Sequence, residues 1–591
     1  MARTTVALDT ETWQLSSLGH LVPRLVCVSL SQDGVTSMLL HRQHAEPFIT
    51  DLLADSDVLI VGHNIAYDLA VLGQTYPALQ PLIWAAYEAN RICDTGIADQ
   101  LEHIAAGDFR IHRYSLAHLV KRHLDIDMTG KSDGWRLSYH LLDDVTDVGL
   151  WPAEASRYAR HDAILTWRVW DAVRFVLPTY HVHVRAAWAL HLMSAWGMRA
   201  DTTRVGILQE SIETKIVVES QVLHEAGILR PNGKIDTKQV QQHVVRAGIT
   251  DTTPTGRPIT NDRTLATIDH PAIQSLRRFR KAQKIQTTYL PVLTQATKTA
   301  VCPRYRVLVD SGRTSCSKPN IQNQPRAGGV RAAWTPRPGY RYMAADYAAA
   351  ELSALAEVCI VLFGFSTLGM EIKAGIDPHL SMACRLLGIK YSDASRRIAA
   401  GDAEVKKTRT LAKAANFGFA GFLSPQTFCE FALGYGLTVS ISESHQLRQN
   451  WLAHYTEMVP FFRAISARCR AGATTIVHPL CGFRRGGLFA PAAANTMFQT
   501  PIAIGAKRSL FEVARRCWHD VSDPMYGCRP VAFVHDEILL EVPINAVTLD
   551  VARSLKTAME SEMQQVLRQV PCRVEISYGD QWTKTMAALE Q

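Results

Sequence analysis

Two acidic residues, Asp9 and Glu11, lie two positions apart in the N-terminal stretch VALDTETW. The apolar residues Val6 and Leu8 precede them, so a β-strand is predicted here, and both carboxylates project from one of its faces. Like charges on one face of a strand repel each other unless a cation lies between them. The pair therefore predicts a cation near the end of this strand.

Two more acids follow on predicted helices. Asn64 and Asp68 are four residues apart in VGHNIAYDL, as are Tyr158 and Asp162 in RYARHDAIL, and residues at this spacing share one helix face. An acid in such a position usually belongs to a solvated face, so neither is informative alone. Together the four acids offer oxygen ligands, which favour Mg²⁺ or Mn²⁺ over Zn²⁺. Two such ions could bind the attacking and leaving oxygens of a phosphodiester during its displacement, and Tyr158 would orient the attacking water. The four acids are Asp9, Glu11, Asp68 and Asp162.

A second group of acids is predicted in the C-terminal half. In PVAFVHDEILLEVP, two apolar runs flank His535, Asp536 and Glu537, which predicts a buried β-hairpin with acids at its tip. A polar turn is the ordinary explanation, but a further acid, Asp346, ends the predicted strand YRYMAAD and opens a helix. We expect Asp346 and Asp536 to be metal ligands on neighbouring strands.

A predicted helix between these two segments carries a basic stripe. Arg409, Lys413 and Phe417 recur at four-residue spacing in RTLAKAANFGF, so they share one face. A solvated basic face would explain the two cations, but a large aromatic ring fits it poorly. The stripe suits a nucleoside triphosphate, with charge for the phosphates and a ring for the sugar or base.

The whole chain has the size and composition of an intracellular, multidomain protein. Its 591 residues are too many for one core, so roughly two to four domains are expected. A net charge of +8 permits a polyanionic partner. The 12 cysteines lack C-x-x-C spacing, which indicates a reducing compartment and argues against a zinc site. No signal peptide or membrane span is predicted.

The ordered motifs resemble those of a known enzyme family. D-x-E, N-x-x-x-D and Y-x-x-x-D, in this order, resemble the 3′–5′ proofreading exonuclease domain of DNA polymerases. DYAAAEL at 346–352, R-x-x-x-K-x-x-x-F-G at 409–418 and HDE at 535–537 resemble motifs A, B and C of the DNA polymerase I family, or family A. The resemblance covers nearly the whole chain. It implies an α/β, ribonuclease H-like exonuclease domain joined to an α+β right-hand polymerase with an antiparallel palm sheet and helical fingers and thumb. The expected divisions are 1–178 for the exonuclease, 179–300 for the linker and thumb, 301–370 and 491–591 for the palm, and 371–490 for the fingers.

The resemblance also implies a role for each matching residue. Catalytic roles are implied for the four N-terminal acids, Tyr158, Asp346, Asp536 and Glu537. Metal contacts are implied for the four N-terminal acids and for Asp346, Asp536 and Tyr347. Nucleotide contacts are implied for Arg409, Lys413, Phe417, His379, Glu351 and Tyr347. DNA contacts are implied for Arg313, Asn320, Gln322, Asn323, Asn495, Gln499, His535, Asn64, Lys281 and Lys284. For the helix that carries Lys281 and Lys284, a solvated face remains the alternative.

The implied function is DNA-templated addition of dNTPs to a primer 3′ end, with 3′–5′ proofreading. Two Mg²⁺ ions per active site are expected, and Mn²⁺ can substitute. The expected partners are primer–template DNA and dNTPs. The enzyme is expected to be cytoplasmic, monomeric and bacteriophage-like, without a 5′-nuclease domain. Whether it also uses a processivity factor, helicase or primase is left open, as is a role in repair. Two rival interpretations are a single-subunit RNA polymerase and a nuclease with a DNA-holding platform. One departure stands out: Gly421 occupies the usual motif B tyrosine position, and Phe422 follows it.

Overall fold

The computed structural model of the chain describes residues 3–14, 21–108, 113–128, 134–173, 177–250, 252–253, 255–583 and 586–589. Its N-terminal domain is an α/β unit around one mixed sheet, ordered β3-β2-β1-β4-β5. The central strand β1 pairs antiparallel with β2 and parallel with β4. The strands are β1 Thr4–Thr12, β2 Leu25–Ser31, β3 Met38–His41, β4 Val58–Gly62 and β5 Ile92–Asp94. The helices are α1 Arg42–Ala54, α2 Ile65–Thr75, α3 Gln80–Glu88, α4 Thr95–Ala106, α5 Leu116–Leu124 and α6 Ala153–Val173.

A mostly helical segment follows, as the sequence predicts. Part of it forms a small core of its own around Leu223, Val240, Leu265, Ile273 and Phe279, separate from the main core of the protein. Its elements are α7 Tyr180–Trp196, β6 Arg199–Ala200, α8 Thr202–Glu225, α9 Thr237–Arg246, α10 Asp262–Ala266, α11 Pro271–Lys284, α12 Leu290–Lys298, β7 Arg304–Arg306, β8 Ser315–Ser317, α13 Val330–Ala333 and β9 Trp334–Thr335.

The C-terminal half contains a second sheet, interrupted by a long helical insertion. This sheet is antiparallel and ordered β13-β14-β10-β15-β16. Its strands are β10 Tyr340–Tyr347, β13 Arg529–Val534, β14 Glu537–Pro543, β15 Val574–Gly579 and β16 Ala587–Ala588. The insertion holds α14 Ala350–Phe363, α15 Thr367–Lys373, α16 Pro378–Leu387, α17 Tyr391–Ala399, α18 Ala403–Ala420, α19 Pro425–Leu433, α20 Ile441–His454, α21 Met458–Arg468, β11 Thr474–Val477 and β12 Arg484–Leu488. The long α22 Ala490–Trp518 and α23 Thr548–Gln564 cover the sheet. The mixed fold class predicted from the sequence is confirmed.

The N-terminal domain contacts the insertion through glycine backbone. The turn after α4 meets β12 so closely that a Cβ atom on Gly486 would lie 2.6 Å from the Ala105 carbonyl oxygen and 2.7 Å from the Gly107 nitrogen. Gln100 also donates from Nε2 to the Leu308 carbonyl oxygen at 2.9 Å. Glycine is required at Gly486 because no side chain fits between the two backbones.

No helix in the described ranges combines the length and the hydropathy that a bilayer span requires. The 12 cysteines are all unpaired thiols.

Candidate active sites

Three of the four N-terminal acids converge at the end of β1. Ligand oxygens of Asp9, Glu11 and Asp162 all lie within 4.8 Å of one another. Strand alternation places Asp9 and Glu11 on one face of β1, and α6 brings Asp162 to the same point. Three carboxylates this close repel one another unless a cation neutralises them, and an all-oxygen donor set suits a hard divalent ion. The residues therefore fit the metal that the sequence predicts.

Asp68 lies beside this cluster but is held by β1 itself. Its Oδ1 accepts hydrogen bonds from the Thr10 backbone nitrogen at 3.1 Å and from the Thr10 hydroxyl at 2.6 Å. The side chain is 4% exposed, and burial raises the pKa of Asp68 to about 7, against the opposing effect of the Thr10 hydrogen bonds. At neutral pH this carboxyl is therefore part protonated before any cation binds.

The predicted helical pairing of Asn64 with Asp68 is wrong. Helix α2 begins at Ile65, and Asn64 precedes it in the left-handed region at φ 62°. Asparagine tolerates this conformation better than most residues do. Asn64 instead lines a cleft of about 370 Å³, together with Tyr67 of the N-terminal domain and Arg304 of β7.

Tyr158 lies on α6 four residues before Asp162, as the spacing predicts. Burial, then the charges of Asp162 and Glu11, raise the pKa of Tyr158 above its usual range. The phenol therefore remains protonated at physiological pH and can donate a hydrogen bond near the acidic cluster.

The C-terminal acids meet because their strands are paired. Ala345 of β10 lies opposite Ile538 of β14, which places Asp346 next to the turn of the β13–β14 hairpin. Val534 pairs with Glu537, so the turn consists of His535 and Asp536 alone.

The conformation of this turn is unusual. His535 has φ 63°, a left-handed conformation that is uncommon for histidine. Backbone strain of this kind is often found at functional sites, and here it lies directly before Asp536. Helix α14 begins only at Ala350, so Asp346 precedes the helix rather than opening it.

Asp346 and Asp536 have raised pKa values. Desolvation, then the charges of Asp536 and Glu537, raise the pKa of Asp346 to about 7. Desolvation, then the charge of Glu351, raise the pKa of Asp536 to about 6, while Arg313 opposes this shift. Buried carboxyls that lie among other acids favour a bound cation, so these residues also fit a divalent metal.

Glu537 is held away from the tip of the hairpin. Its Oε1 accepts from the Trp582 indole nitrogen at 2.7 Å, and its Oε2 lies 3.6 Å from the Arg331 guanidinium. The same guanidinium lies 4.0 Å from the centre of the Trp582 ring. In this structure Glu537 anchors the C-terminal segment and lines the same cavity as Asp346, so its catalytic role stays a prediction.

The Tyr347 side chain points away from the acids. It is buried, and its hydroxyl bonds to the Ser509 hydroxyl at 2.6 Å and donates to the Met559 carbonyl oxygen at 2.7 Å. The predicted nucleotide contact of this side chain is therefore wrong. A metal contact from Tyr347 would have to come from its backbone.

Glu351 and Arg313 form an ion pair close to Asp536. The Arg313 Nη2 donates to Glu351 Oε1 at 2.5 Å. Desolvation raises the pKa of Glu351, although Arg313 opposes the shift. The pair joins a predicted nucleotide residue to a predicted DNA residue.

The basic stripe is present on α18. Arg409 and Phe417 are half-buried on this helix, Lys413 is exposed, and the ring of His379 lies 5.6 Å from the Phe417 ring. The Arg409 guanidinium contacts the Asp377 carboxylate at 2.7 Å and 2.6 Å.

The residues predicted to contact DNA divide into accessible and inaccessible sets. Gln322 is a correction: it is 7% exposed, and its amide donates to the Thr314 hydroxyl at 2.8 Å and the Phe533 carbonyl oxygen at 3.2 Å. It stabilises β13 rather than facing DNA. Lys281 lies 3.7 Å from Asp262, which partly neutralises that helix face. The residues that stay at least partly accessible are Arg313, Asn320, Asn323, Asn495, Gln499, His535, Asn64, Lys281 and Lys284.

The departure in motif B has a structural explanation. Helix α18 ends at Ala420, and Phe422, at φ 70°, turns its ring onto Phe462 with the centroids 4.7 Å apart. A Cβ atom on Gly421 would lie 3.1 Å from the Asn495 Oδ1. Asn495 therefore occupies the space beside Gly421.

Several residues of these sites lie outside the sequence prediction. Asp377 holds Arg409, while Asn416 and Trp451 hold His379. Lys507, buried on α22, donates to the Gly312 carbonyl oxygen at 2.6 Å and bonds His183 Nδ1 at 3.0 Å. Asp377 lies two residues before His379 in the sequence, and this D-x-H spacing could have indicated it. For Lys507, which precedes Arg508 on α22, no local signal distinguishes the buried cation from its more exposed neighbour.

Comparisons with known proteins agree with this geometry. A family model described as DNA polymerase family A matches residues 219–584, and one described as 3′-5′ exonuclease matches residues 2–177. The DNA polymerase I of Aquifex aeolicus is 26% identical, and the alignment covers 98% of this chain and 95% of the relative. The thermostable DNA polymerase I of Thermus thermophilus is 27% identical, and the alignment covers 85% of this chain and 61% of the relative.

A solved structure supports the fold. It is the polymerase domain from M. smegmatis in complex with DNA primer-template and dNTP, with a TM-score of 0.69 and 18% identity over 98% of this chain and 96% of that one. The polymerase-family model alone covers more than half of the chain. The chain therefore belongs to DNA polymerase family A, as a DNA-directed DNA polymerase with an N-terminal 3′–5′ exonuclease domain.

Proposed function

We propose that the protein extends DNA primers with dNTPs by two-metal phosphoryl transfer and that it proofreads the product. The observation that carries this proposal is the pairing of β10 with β14, which brings Asp346 and Asp536 together with raised pKa values. The M. smegmatis domain of the same fold was solved with primer-template and dNTP, which supports DNA and dNTPs as ligands here.

In this proposal Asp346 and Asp536 hold two divalent ions, and Mg²⁺ suits their oxygen donors best. When bound, such ions would activate the primer 3′-hydroxyl and neutralise the leaving pyrophosphate. Arg409 and Lys413 supply positive charge for the triphosphate, and Asp377 fixes the direction of the Arg409 guanidinium. Phe417 and His379 present adjacent rings on the same side of the fingers.

Glu351 is proposed to select deoxynucleotides. Its carboxylate is fixed by Arg313 and lies near Asp536, where it would crowd a ribose 2′-hydroxyl. We expect Glu351→Ala to raise ribonucleotide incorporation relative to deoxynucleotide incorporation in primer extension. Equal use of both substrates by the wild type would instead favour the RNA polymerase interpretation.

The nucleotide site has a second test. If Phe417 lies against the sugar, Phe417→Tyr should increase the incorporation of dideoxynucleotides, with Phe431→Tyr as the matched control on another fingers helix. Unchanged incorporation would contradict the placement of the sugar beside α18.

Primer–template contact is proposed for the accessible polar residues around Arg313. Asn320, Asn323, Asn495 and Gln499 are amides that can donate to minor-groove acceptors, which differ little between base pairs. Such contacts check the geometry of a pair without reading its sequence. The exposed Lys284, on the helix before α12, can follow the phosphates.

Proofreading is assigned to the N-terminal cluster. Asp9, Glu11 and Asp162 would hold one divalent ion, and Asp68 would contribute to a second. The protonated Tyr158 hydroxyl can orient the attacking water. We expect Asp9→Ala to abolish degradation of single-stranded DNA while leaving primer extension intact.

The decisive experiment is primer extension on a primed single-stranded template with Mg²⁺ and dNTPs. Asp536→Ala should abolish extension and keep exonuclease activity, whereas Asp580→Ala, which removes an exposed acid of the same domain, should change neither. Degradation without extension by the wild-type protein would favour the nuclease-platform alternative. A role in bacteriophage replication rests only on the motif resemblance and stays a prediction, which complementation of a polymerase-deficient phage would test.

A further inference from the structure

His379 is one member of a buried chain of three hydrogen-bonding side chains. The Trp451 indole nitrogen donates to Asn416 Oδ1 at 2.9 Å, and Asn416 Nδ2 lies 2.9 Å from His379 Nδ1. Asn416 and Trp451 are each 1% exposed, and His379 is 6% exposed. Asn416 Nδ2 also approaches the Pro378 carbonyl oxygen at 3.4 Å, so every polar atom of this amide has a partner.

The chemistry of these groups fixes the direction of each hydrogen bond. An indole nitrogen can only donate, so the Asn416 atom facing Trp451 must be the oxygen. The atom facing His379 is then the amide nitrogen, which can also only donate. Nδ1 of His379 must therefore be unprotonated, and the ring proton must be on Nε2. The reversed amide would place two donors 2.9 Å apart at Trp451.

We propose that Asn416, held by Trp451, locks His379 as the neutral Nε2–H tautomer, so that this histidine meets the triphosphate as an uncharged hydrogen-bond donor. Among the described residues, none makes a hydrogen bond to Nε2. Asn416 and Trp451 are positioning residues in this scheme, because they act only through His379.

Burial keeps the ring neutral, and the cations of α18 add to its effect. Burial lowers the pKa of His379 to about 4; Asp377 opposes this shift, and Arg409 and Lys413 on α18 add to it. The neighbouring α15 and α20 contribute Glu371 and His454, which bond to each other at 2.9 Å and so are paired. The two cations of α18 carry the positive charge of the site, while the neutral ring of His379 donates a directional hydrogen bond.

The consequence for catalysis concerns pH, and it rests on the proposed function of His379 as a triphosphate contact. A histidine free to change tautomer or to ionise would make dNTP binding depend on pH between about 6 and 8, near the ordinary histidine pKa. With the ring locked, the contribution of His379 to dNTP binding does not change with pH in this range. Asn416→Asp inverts the lock, because a carboxylate accepts a hydrogen bond from Nδ1–H, so the neutral ring keeps its proton on Nδ1 and Nε2 has none.

The direct test is the ¹⁵N NMR spectrum of histidine-labelled full-length protein, with His379 assigned as the signals that are lost in His379→Gln. The expected result at about pH 7 is an unprotonated Nδ1 and a protonated Nε2. Trp451→Phe removes the indole N–H, together with part of a buried ring system, and should yield a tautomer mixture. Trp151→Phe, which removes an indole hydrogen bond in the N-terminal domain, should not. A protonated Nδ1 in the wild type, as neutral ring or imidazolium, would overturn the proposal.

The kinetic test compares KM for dNTP with kcat across pH. Asn416→Asp should raise KM about tenfold near pH 8, with partial recovery near pH 6 as the ring becomes charged, because a lost charge-assisted hydrogen bond has that magnitude. Gln446→Glu, an acid added on the exposed face of α20, should have no such pH dependence. A pH-independent defect in Asn416→Asp would overturn the lock. A correct tautomer in the spectrum with unchanged KM would instead refute the triphosphate contact of the proposed function.

Discussion

The glycine contact between the N-terminal domain and β12 allows a quantitative test. Gly486→Ala would place a methyl carbon 2.6 Å from the Ala105 carbonyl oxygen, where ordinary contact begins at 3.4 Å. The other nearby atoms, at 2.7 Å and 2.9 Å, belong to the backbone of Ala106 and Gly107. No side chain can rotate away, so the two backbones must separate by about 0.8 Å, the difference between those two distances.

The expected cost follows from measured overpacking effects. Forcing an extra methyl group into a filled space costs about 1–3 kcal/mol. The loss of a glycine from the unfolded chain returns about 0.4–1 kcal/mol. The net loss of stability should therefore be about 1–2 kcal/mol. The matched control is Gly206→Ala, on the exposed face of α8, where nothing lies within 4 Å of the added carbon. That change should stabilise the protein by about 0.5–1 kcal/mol, because glycine is unfavourable within a helix.

The assay is urea unfolding followed by tryptophan fluorescence, with both variants measured beside the wild type. The two substitutions add the same methyl group. The gain at Gly206 comes from its helical context, so a loss at Gly486 reports the backbone crowding at β12. If Gly486→Ala were as stable as Gly206→Ala, the close backbone contact would not exist in solution.

Two further predictions concern buried ionisable groups. Ionised Asp68 destabilises the metal-free fold, because its pKa of about 7 in the folded protein lies above the value of 3.8 in the unfolded chain. This loss of stability is absent below about pH 4 and complete above about pH 7. Asp68→Asn keeps the acceptor for the Thr10 hydrogen bonds. It should raise the free energy of unfolding of the metal-free protein by on the order of 2–4 kcal/mol at about pH 8 and hardly at all at about pH 4, while exonuclease activity falls. Equal changes in the free energy of unfolding at both pH values would refute this account. Lys507→Met leaves the Gly312 carbonyl oxygen and a histidine nitrogen unpaired. It should lower the free energy of unfolding in urea by about 2–4 kcal/mol and weaken primer–template binding in fluorescence anisotropy. Lys215→Met, at an exposed position, should change neither.

The elements that carry the chemistry could be predicted because their signals are local. Alternation of side chains predicts β1, two apolar runs around a polar tip predict the β13–β14 hairpin, and a four-residue period predicts the stripe of α18. Each of these signals is contained in about ten residues, and each element is present in the structure. Ordered motifs then indicate which of these elements share a site.

The remaining features depend on contacts between distant residues. Glu537 is fixed by Trp582, 45 residues later, and Gln322 by Phe533, 211 residues later. Asp68 accepts from Thr10 across 58 residues. Nothing in the short stretch around any of these residues distinguishes a polar group that faces a ligand from one that is satisfied inside the fold.

The strand order of the two sheets also sets the order in which a nascent chain can complete its sites. All five strands of the N-terminal sheet are synthesised by Asp94, and the helix that carries Asp162 ends at Val173. The polymerase sheet joins β10 to strands made more than 180 residues later, and β14 ends at Pro543, 370 residues beyond Val173. At about 5–20 residues per second, ribosomes need roughly 20–75 seconds for that interval. During this time, each new molecule can hold a complete set of exonuclease acids while its polymerase acids have not yet met.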